Sequence, residues 1–297
     1  MGEFGDSVVS WGMLIDTHAH LDFPDFGNDL DEVLARAEAA GITRIVTIGT
    51  SIEGSRRAVE LAEKYPQVYA VVGVHPNSAV EAADNFLDDL RALAQSPRVI
   101  ALGETGLDYH RLPSKHLLGS KDGVLSEMPW SDPKEPTAAV RDGAVKSAQA
   151  AVFEQQLDLA VELGLNVVIH ERDAWEDTLD LLGPYTGKLR AVFHCFGKTP
   201  THAKDLLELG HMVSFTGIVT FKNAIEAQET ARHIPDDSFM FETDCPFLAP
   251  VPFRGKRCEP AYTREVAGHV ARLRGEKIES LAARTTANAA AFFRFPD

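Results

Sequence analysis

Short, almost continuously apolar runs alternate along this chain with stretches in which apolar residues recur every three or four positions. The runs fall near 14–20, 43–50, 68–75, 99–104, 166–170, 190–195, 211–218 and 239–244. Unbroken apolarity over so few residues marks strands covered on both faces, whereas the wider spacing marks amphipathic helices. Helical patterns lie at 30–40, 52–64, 85–94, 144–163, 174–182, 201–209 and 224–232, with two more at 261–274 and 278–292 after the last strand. Strand and helix in regular alternation predict a parallel sheet. Eight such units in 297 residues predict an α/β fold, a single-domain (β/α)8 TIM-type barrel. A doubly wound open sheet is the competing arrangement, disfavoured because no Gly-rich phosphate loop follows the first strand.

Met13 directly precedes the first strand, so residues 1–12 read as an N-terminal extension and 13–297 as the barrel. The rhythm breaks once, at 109–137. An extended loop there follows the fourth strand and rises from the face where barrel enzymes keep their chemistry, as a lid or wall or as a neutral surface insertion.

Composition narrows the function. Apolar residues make up 44% of the chain, enough for a substantial core. No run approaches the roughly 20 apolar residues of a membrane span, and the first residues lack the basic flank and apolar stretch of a secretory signal. Three cysteines, Cys195, Cys245 and Cys258, form no CxxC pair and suit a reducing cytoplasm. Alternation is expected to turn Cys195 and Cys245 away from any site as small packing residues. The formal net charge of −15 excludes a general nucleic-acid coat but not a nuclease whose site is neutralised by cations. No coiled-coil heptad is present, which leaves a monomer as the default.

Residues of metal-ligand type gather at or just past the C-terminal ends of the predicted strands. His18 and His20 stand two apart, so their side chains share one side of a strand. Glu104, His170, His194 and Asp244 end later strands. Each would need its own buried partner if it were mere packing. Histidines and carboxylates without thiolates suit divalent ions such as Mg, Mn or Zn. Six ligands exceed the three that one open catalytic site needs, so two divalent metal ions bridged by Glu104 are expected. His18, His20 and Asp244 would hold one, and His170 and His194 the other. Such a pair activates a water, and Asp244 could take its proton as general base.

The motifs then resemble a known family. Asp16-Thr17-His18-Ala19-His20-Leu21-Asp22 resembles the opening motif of the TatD family of metal-dependent deoxyribonucleases, within the amidohydrolase superfamily. Similar to later family motifs are Gly73-Val74-His75-Pro76, Gly103-Glu104-Thr105-Gly106-Leu107-Asp108-Tyr109, His170 with Arg172-Asp173-Ala174, Phe193-His194-Cys195-Phe196, the run from Ser214 to Lys222, and Glu242-Thr243-Asp244-Cys245-Pro246. The resemblance implies a TIM-like barrel, divalent metal ions and hydrolysis of DNA phosphodiesters, with single-stranded ends as substrate. It also implies that His75 and Arg172 contact the scissile phosphate. The chain departs from the family pattern at Glu171, at Phe196-Gly197-Lys198, at Cys258 and in the length of the loop after Tyr109. These departures bear on substrate more than on chemistry. A basic segment, Arg254-Gly255-Lys256-Arg257, is expected to add positive charge at the mouth with Arg172, Lys198 and Lys222. Phe23, Tyr109 and Phe247 are candidates for base stacking. Two other functions compete: an amidohydrolase acting on a small lactone, amide or cyclic imide, and a binding protein that keeps the barrel without turnover. Superfamily enzymes of the former type often bridge their ions with a carboxylated Lys where this chain has Glu104.

Overall fold

The computed structural model describes residues 12–116 and 137–296. Eight parallel strands follow one another around a single sheet in chain order. They are β1 (Leu14–Ala19), β2 (Ile42–Ile48), β3 (Val68–Val72), β4 (Val99–Asp108), β5 (Asn166–Arg172), β6 (Ala191–Phe193), β7 (Met212–Phe215) and β8 (Phe239–Phe241). Between and after them run α1 (Leu30–Ala39), α2 (Ile52–Lys64), α3 (Phe86–Leu93), the single turn α4 (Pro113–His116), α5 (Ala138–Leu163), α6 (Trp175–Leu182), α7 (Pro200–Glu208), α8 (Ile225–His233), α9 (Thr263–Arg274) and α10 (Ile278–Phe293). This is the expected (β/α)8 barrel.

The seam between first and last strands closes at their C-terminal ends. The Asp244 and His20 backbone N–H groups donate to the carbonyls of His18 and Cys245, both at 2.8 Å. Thr17 Oγ1 donates to the Phe241 carbonyl, and Asp16 accepts from the Thr243 N–H and hydroxyl. The seam thus carries His18, His20 and Asp244 together.

Every strand sends apolar side chains into the barrel. Ile15, Val46, Val71, Ile100, Val168, Val192, Met212 and Met240 form one buried cluster, which Phe292 and Phe293 of α10 join. A filled interior of this kind is a packed core and not a pore. A period of two carries the inward face from Val168 to His170, from Val192 to His194 and from Met240 to Glu242. The same alternation that packs the core therefore aims the site.

Element ends differ from the pattern-based expectation for local reasons. The fourth strand runs on past Glu104 to Asp108, pairing with β5 as far as Arg172 after a register shift between Leu102 and Thr105. The third strand stops at Val72, short of His75. Helix α5 starts at Ala138, six residues early, because its first turns are mostly exposed and show no apolar stripe. Residues 1–11 of the expected extension and 117–136 of the expected lid lie outside the described residues.

Gly103 is held at φ +130°, where a Cβ would sit 2.5 Å from the Val168 carbonyl oxygen. Only glycine meets both demands. Gly103→Ala should therefore destabilise the metal-stripped protein by about 2–4 kcal/mol, read as a lowered urea midpoint. An unchanged midpoint would mean that the neighbouring strands yield.

Candidate metal centre and substrate cavity

The six ligand-type residues converge on one cavity of about 740 Å³ at the C-terminal end of the barrel, which His20, Glu104, His170, His194 and Asp244 line. Glu104 stands at the centre, 3% exposed. Its two oxygens face two different groups. Oε2 lies 3.4 Å from His18 Nε2 and 3.9 Å from His20 Nε2, and Asp244 Oδ1 completes that side at 3.8 and 3.2 Å from the same nitrogens. Oε1 lies 2.9 Å from His170 Nδ1 and 2.8 Å from His194 Nε2.

Ring hydrogen bonds say what these nitrogens present. His20 Nδ1 is 3.1 Å from the Ile48 carbonyl, which can only accept, so Nδ1 bears a hydrogen and Nε2 turns its lone pair inward. His18 Nε2 lies 3.3 Å from that lone pair. His170 Nε2 contacts the Asp108 carboxylate at 3.2 Å, so its Nδ1 turns a lone pair toward Glu104 and toward His194 Nε2 at 3.3 Å. Acceptors packed this closely need a cation among them. Protons meet that need in metal-free protein, and divalent ions fit the same donor set of imidazole nitrogens and carboxylate oxygens.

The ionisation of the cluster follows the same logic. Burial pushes the Glu104 carboxyl up, but His194, His75, His18 and the bond from His170 outweigh it and hold the group well below the usual carboxylate range. Burial pushes His194 down, but Glu104 and Glu242 raise it well above an ordinary histidine. Burial and the neighbouring His194 lower His18, whose ring stacks on that of His194 at 4.1 Å.

His75 behaves differently. Its Nδ1 accepts the Asn77 N–H at 3.0 Å, so the neutral ring carries its proton on Nε2, 3.5 Å from Glu104 Oε1. Burial holds it at about 3, so it stays neutral. It presents a donor to the cavity. Arg172 lines the same cavity and is exposed; it makes no ion pair among the described residues.

Three carboxylates were not singled out as site residues from the sequence. Asp108 holds His170, and although burial opposes ionisation, the bond and charge of His170 keep it at about 2. Glu242 lies 3.6 Å from His194 Nδ1 and also accepts from the Cys195 N–H and the Ser214 hydroxyl. Asp16 ties the β1 end to Thr243, and burial pushes it to about 8. Spacing could have found Glu242, which precedes Asp244 by two as His18 precedes His20. Asp108 was hidden because the strand reads from its pattern as ending at Glu104. Two buried amides from α5 fix the neighbouring strand ends: Gln149 pairs with the Asp108 backbone and Gln156 with the Val74 backbone. A carboxylate placed as Asp108 is on His170 Nε2 sets the tautomer and basicity of a metal-binding histidine. Asp108→Asn should weaken metal binding by about 10–100-fold with the fold retained, measured by competition with a chromogenic chelator. Unchanged affinity would remove Asp108 from that role.

Several expectations need correction. Cys195 lines the cavity because its φ of +53° breaks the alternation that would have turned it away; Cys245 is buried as expected, and Cys258 is buried too. Arg257 does not charge the mouth, since it pairs with Asp29 and Glu259 and pins the loop after β8. Arg254 lies over the Phe221 ring. The cations that line the cavity are Arg111, Arg172 and Lys198. Lys198 pairs with Glu171 at 3.1 Å, and Glu171 also accepts the Ala174 N–H beside α6. Two departures from the family pattern thus answer each other. Tyr109 is buried with its hydroxyl on Asp177, so it packs and does not stack on a substrate.

Comparison with known proteins agrees with this geometry. Residues 15–294 match the family described as TatD related DNase. An uncharacterized metal-dependent hydrolase of Bacillus subtilis, YabD, is 38% identical over 95% of this chain and 99% of its own. A protein of Klebsiella pneumoniae named 3'-5' ssDNA/RNA exonuclease TatD is 32% identical over 94% and 97%. The crystal structure of YJJV, a TatD homolog from Escherichia coli, superposes with a TM-score of 0.79 at 28% identity, covering 95% of this chain and 98% of that one. Barrel, motif order and relatives together place this chain in the TatD family of metal-dependent hydrolases.

Proposed function

We propose that this hydrolase cleaves phosphodiester bonds of single-stranded DNA from an end, with two divalent ions bridged by Glu104. The observation that carries the reading is the split of the Glu104 carboxylate between two ligand groups. His18, His20 and Asp244 form one group, His170 and His194 the other. When bound, the ions supply Lewis acidity toward a water and the phosphate oxygens. Asp244 accepts the proton of the attacking water. His75 donates through Nε2 to a phosphate oxygen, and the Arg172 guanidinium offers that phosphate a planar fork. Both would supply local positive or donor character in a chain whose net charge is −15. Relatives named as ssDNA/RNA exonucleases support a nucleic-acid substrate. All these side chains come from one barrel, so the enzyme is proposed to act as a monomer. Its three free thiols fit a reducing cytoplasm.

The test is cleavage of end-labelled single-stranded DNA and RNA by chelator-stripped protein, with Mg²⁺, Mn²⁺ and Zn²⁺ restored separately. A metal-dependent ladder from one end is the expected result. Folded, metal-loaded protein that leaves both polymers intact while hydrolysing a neutral lactone or amide would replace this reading with the small-molecule one.

A further inference from the structure

We infer that Phe23 and Phe247 form a stacking wall for the nucleobase beside the scissile phosphate, a subsite that rests on the nuclease reading above. Among the described residues, Phe247 is the one aromatic side chain in the set of large apolar groups left open, at 50% exposure. It lines the same cavity as Glu104 and the histidines. A phenyl ring left in water at a cavity mouth forgoes the burial that most of the chain's phenylalanines obtain, and an apolar surface so placed calls for a ligand.

Three rings build the corner. Phe23 stacks on the ring of His20 at 4.9 Å and 26°. Phe247 meets Phe23 edge-on at 5.8 Å and lies 6.4 Å from His20. The floor of this corner is thus itself a metal-ligand candidate. The turn after β8 links the two functions, because the Phe247 N–H donates to the Asp244 carbonyl at 3.0 Å. One turn therefore sets both a ligand carboxylate and the ring.

The strand order gives the cavity two unlike walls. The aromatic corner belongs to the β8–β1 seam. Arg172 follows from β5, directly across a barrel whose strands run in chain order, and Lys198 follows β6. Metal ligands lie between. A nucleotide has the same polarity: an anionic phosphate at one end and an aromatic face at the other. Stacking tolerates any base, since each has a π-face. The subsite would accordingly accept DNA and RNA alike and show little base preference.

The test uses full-length, metal-loaded protein and end-labelled oligonucleotides carrying a base-free residue at the terminal or the penultimate position. For one of these placements the wild type should cut the adjoining bond roughly tenfold more slowly than in the normal oligonucleotide, mainly through KM. Phe247→Ala should erase that difference, and Phe247→Trp should restore it. Phe247→Leu, which keeps apolar bulk without a π-face, should behave as Phe247→Ala and covers the case in which the alanine variant does not fold. Equal wild-type rates on normal and base-free substrates would overturn the subsite alone, as would a difference that survives in the Leu or Ala variant. A wild type that cuts no oligonucleotide would overturn the nuclease reading and the subsite with it.

Discussion

Replacing Glu104 by Ala is expected to cut turnover by roughly a thousandfold and to remove at least one ion from the loaded protein. The effect is large because one side chain serves both halves of the site. Its Oε2 faces His18 and His20, and its Oε1 faces His170 and His194 at 2.9 and 2.8 Å. Without it, the His170 and His194 nitrogens lose the carboxylate oxygen that they share, and the His18 and His20 group keeps only Asp244. Asp244 cannot stand in for it on both sides, because it approaches only the His18 and His20 nitrogens. Glu104→Gln keeps the volume and one carbonyl oxygen, so it should retain more metal than the alanine variant while remaining strongly impaired. Native mass spectrometry gives the stoichiometry and a phosphodiester assay the rate. An alanine variant that still carries two ions would sink the bridge, whatever its rate.

Most of the fold was legible because a barrel repeats one simple pattern. Covered strands read as apolar runs, and the helices around them as amphipathic stretches, so the order of elements follows from periodicity. The six ligand candidates were legible for a related reason. A polar residue that continues an inward apolar face, as His170 continues Val168 and His194 continues Val192, conflicts with core packing unless it serves a site. What stayed hidden depends on backbone geometry that periodicity does not encode. Cys195 was expected to turn outward, but a left-handed residue resets the alternation. Asp108 was missed because β4 continues through glycines that interrupt its apolar run. Arg257 looked like a free cation, but its partners Asp29 and Glu259 lie far from it or beside it in the chain without any pattern that couples them.

The Glu171–Lys198 pair shows why departures from a family pattern should be read together. Either residue alone would place an unbalanced charge beside Arg172. Joined at 3.1 Å, with Glu171 also taking the Ala174 N–H, they form a neutral part of the cavity wall. The lysine side chain is 30% exposed and the glutamate side chain 4%, so the pair is reached by water from the lysine side only. Its consequence is local: it tempers the cationic side of the cavity and leaves Arg172, whose charge also acts on Asp108, without a close ion pair among the described residues.

Asp244→Asn should separate chemistry from folding more cleanly than any other substitution. The backbone of Asp244 sits at φ +61°, a conformation that Asn adopts readily and that most residues resist. Its structural bonds are made by the main chain, from its own N–H to the His18 carbonyl and from the Phe247 N–H to its carbonyl. The amide therefore preserves shape, turn and seam, and the thermal midpoint of the metal-free protein should stay close to wild type. The side chain is another matter. Burial opposes its charge, but the bond from His20 and the charges of His20, His18 and His194 hold Asp244 below the usual carboxylate range, so it is ionised at neutral pH. Asparagine removes that charge from the ion and removes the acceptor for a water's proton. Loss of the base alone predicts a rate lower by about 10²–10⁴-fold. Asp244→Ala would mix this with strain in the left-handed backbone, so the comparison belongs with Asn. Turnover, metal content and thermal midpoint measured on one preparation decide the matter. A folded variant that keeps its metal but loses turnover assigns Asp244 to proton transfer, whereas parallel loss of metal and rate assigns it to ligation. More than about a tenth of wild-type turnover would remove it from both roles.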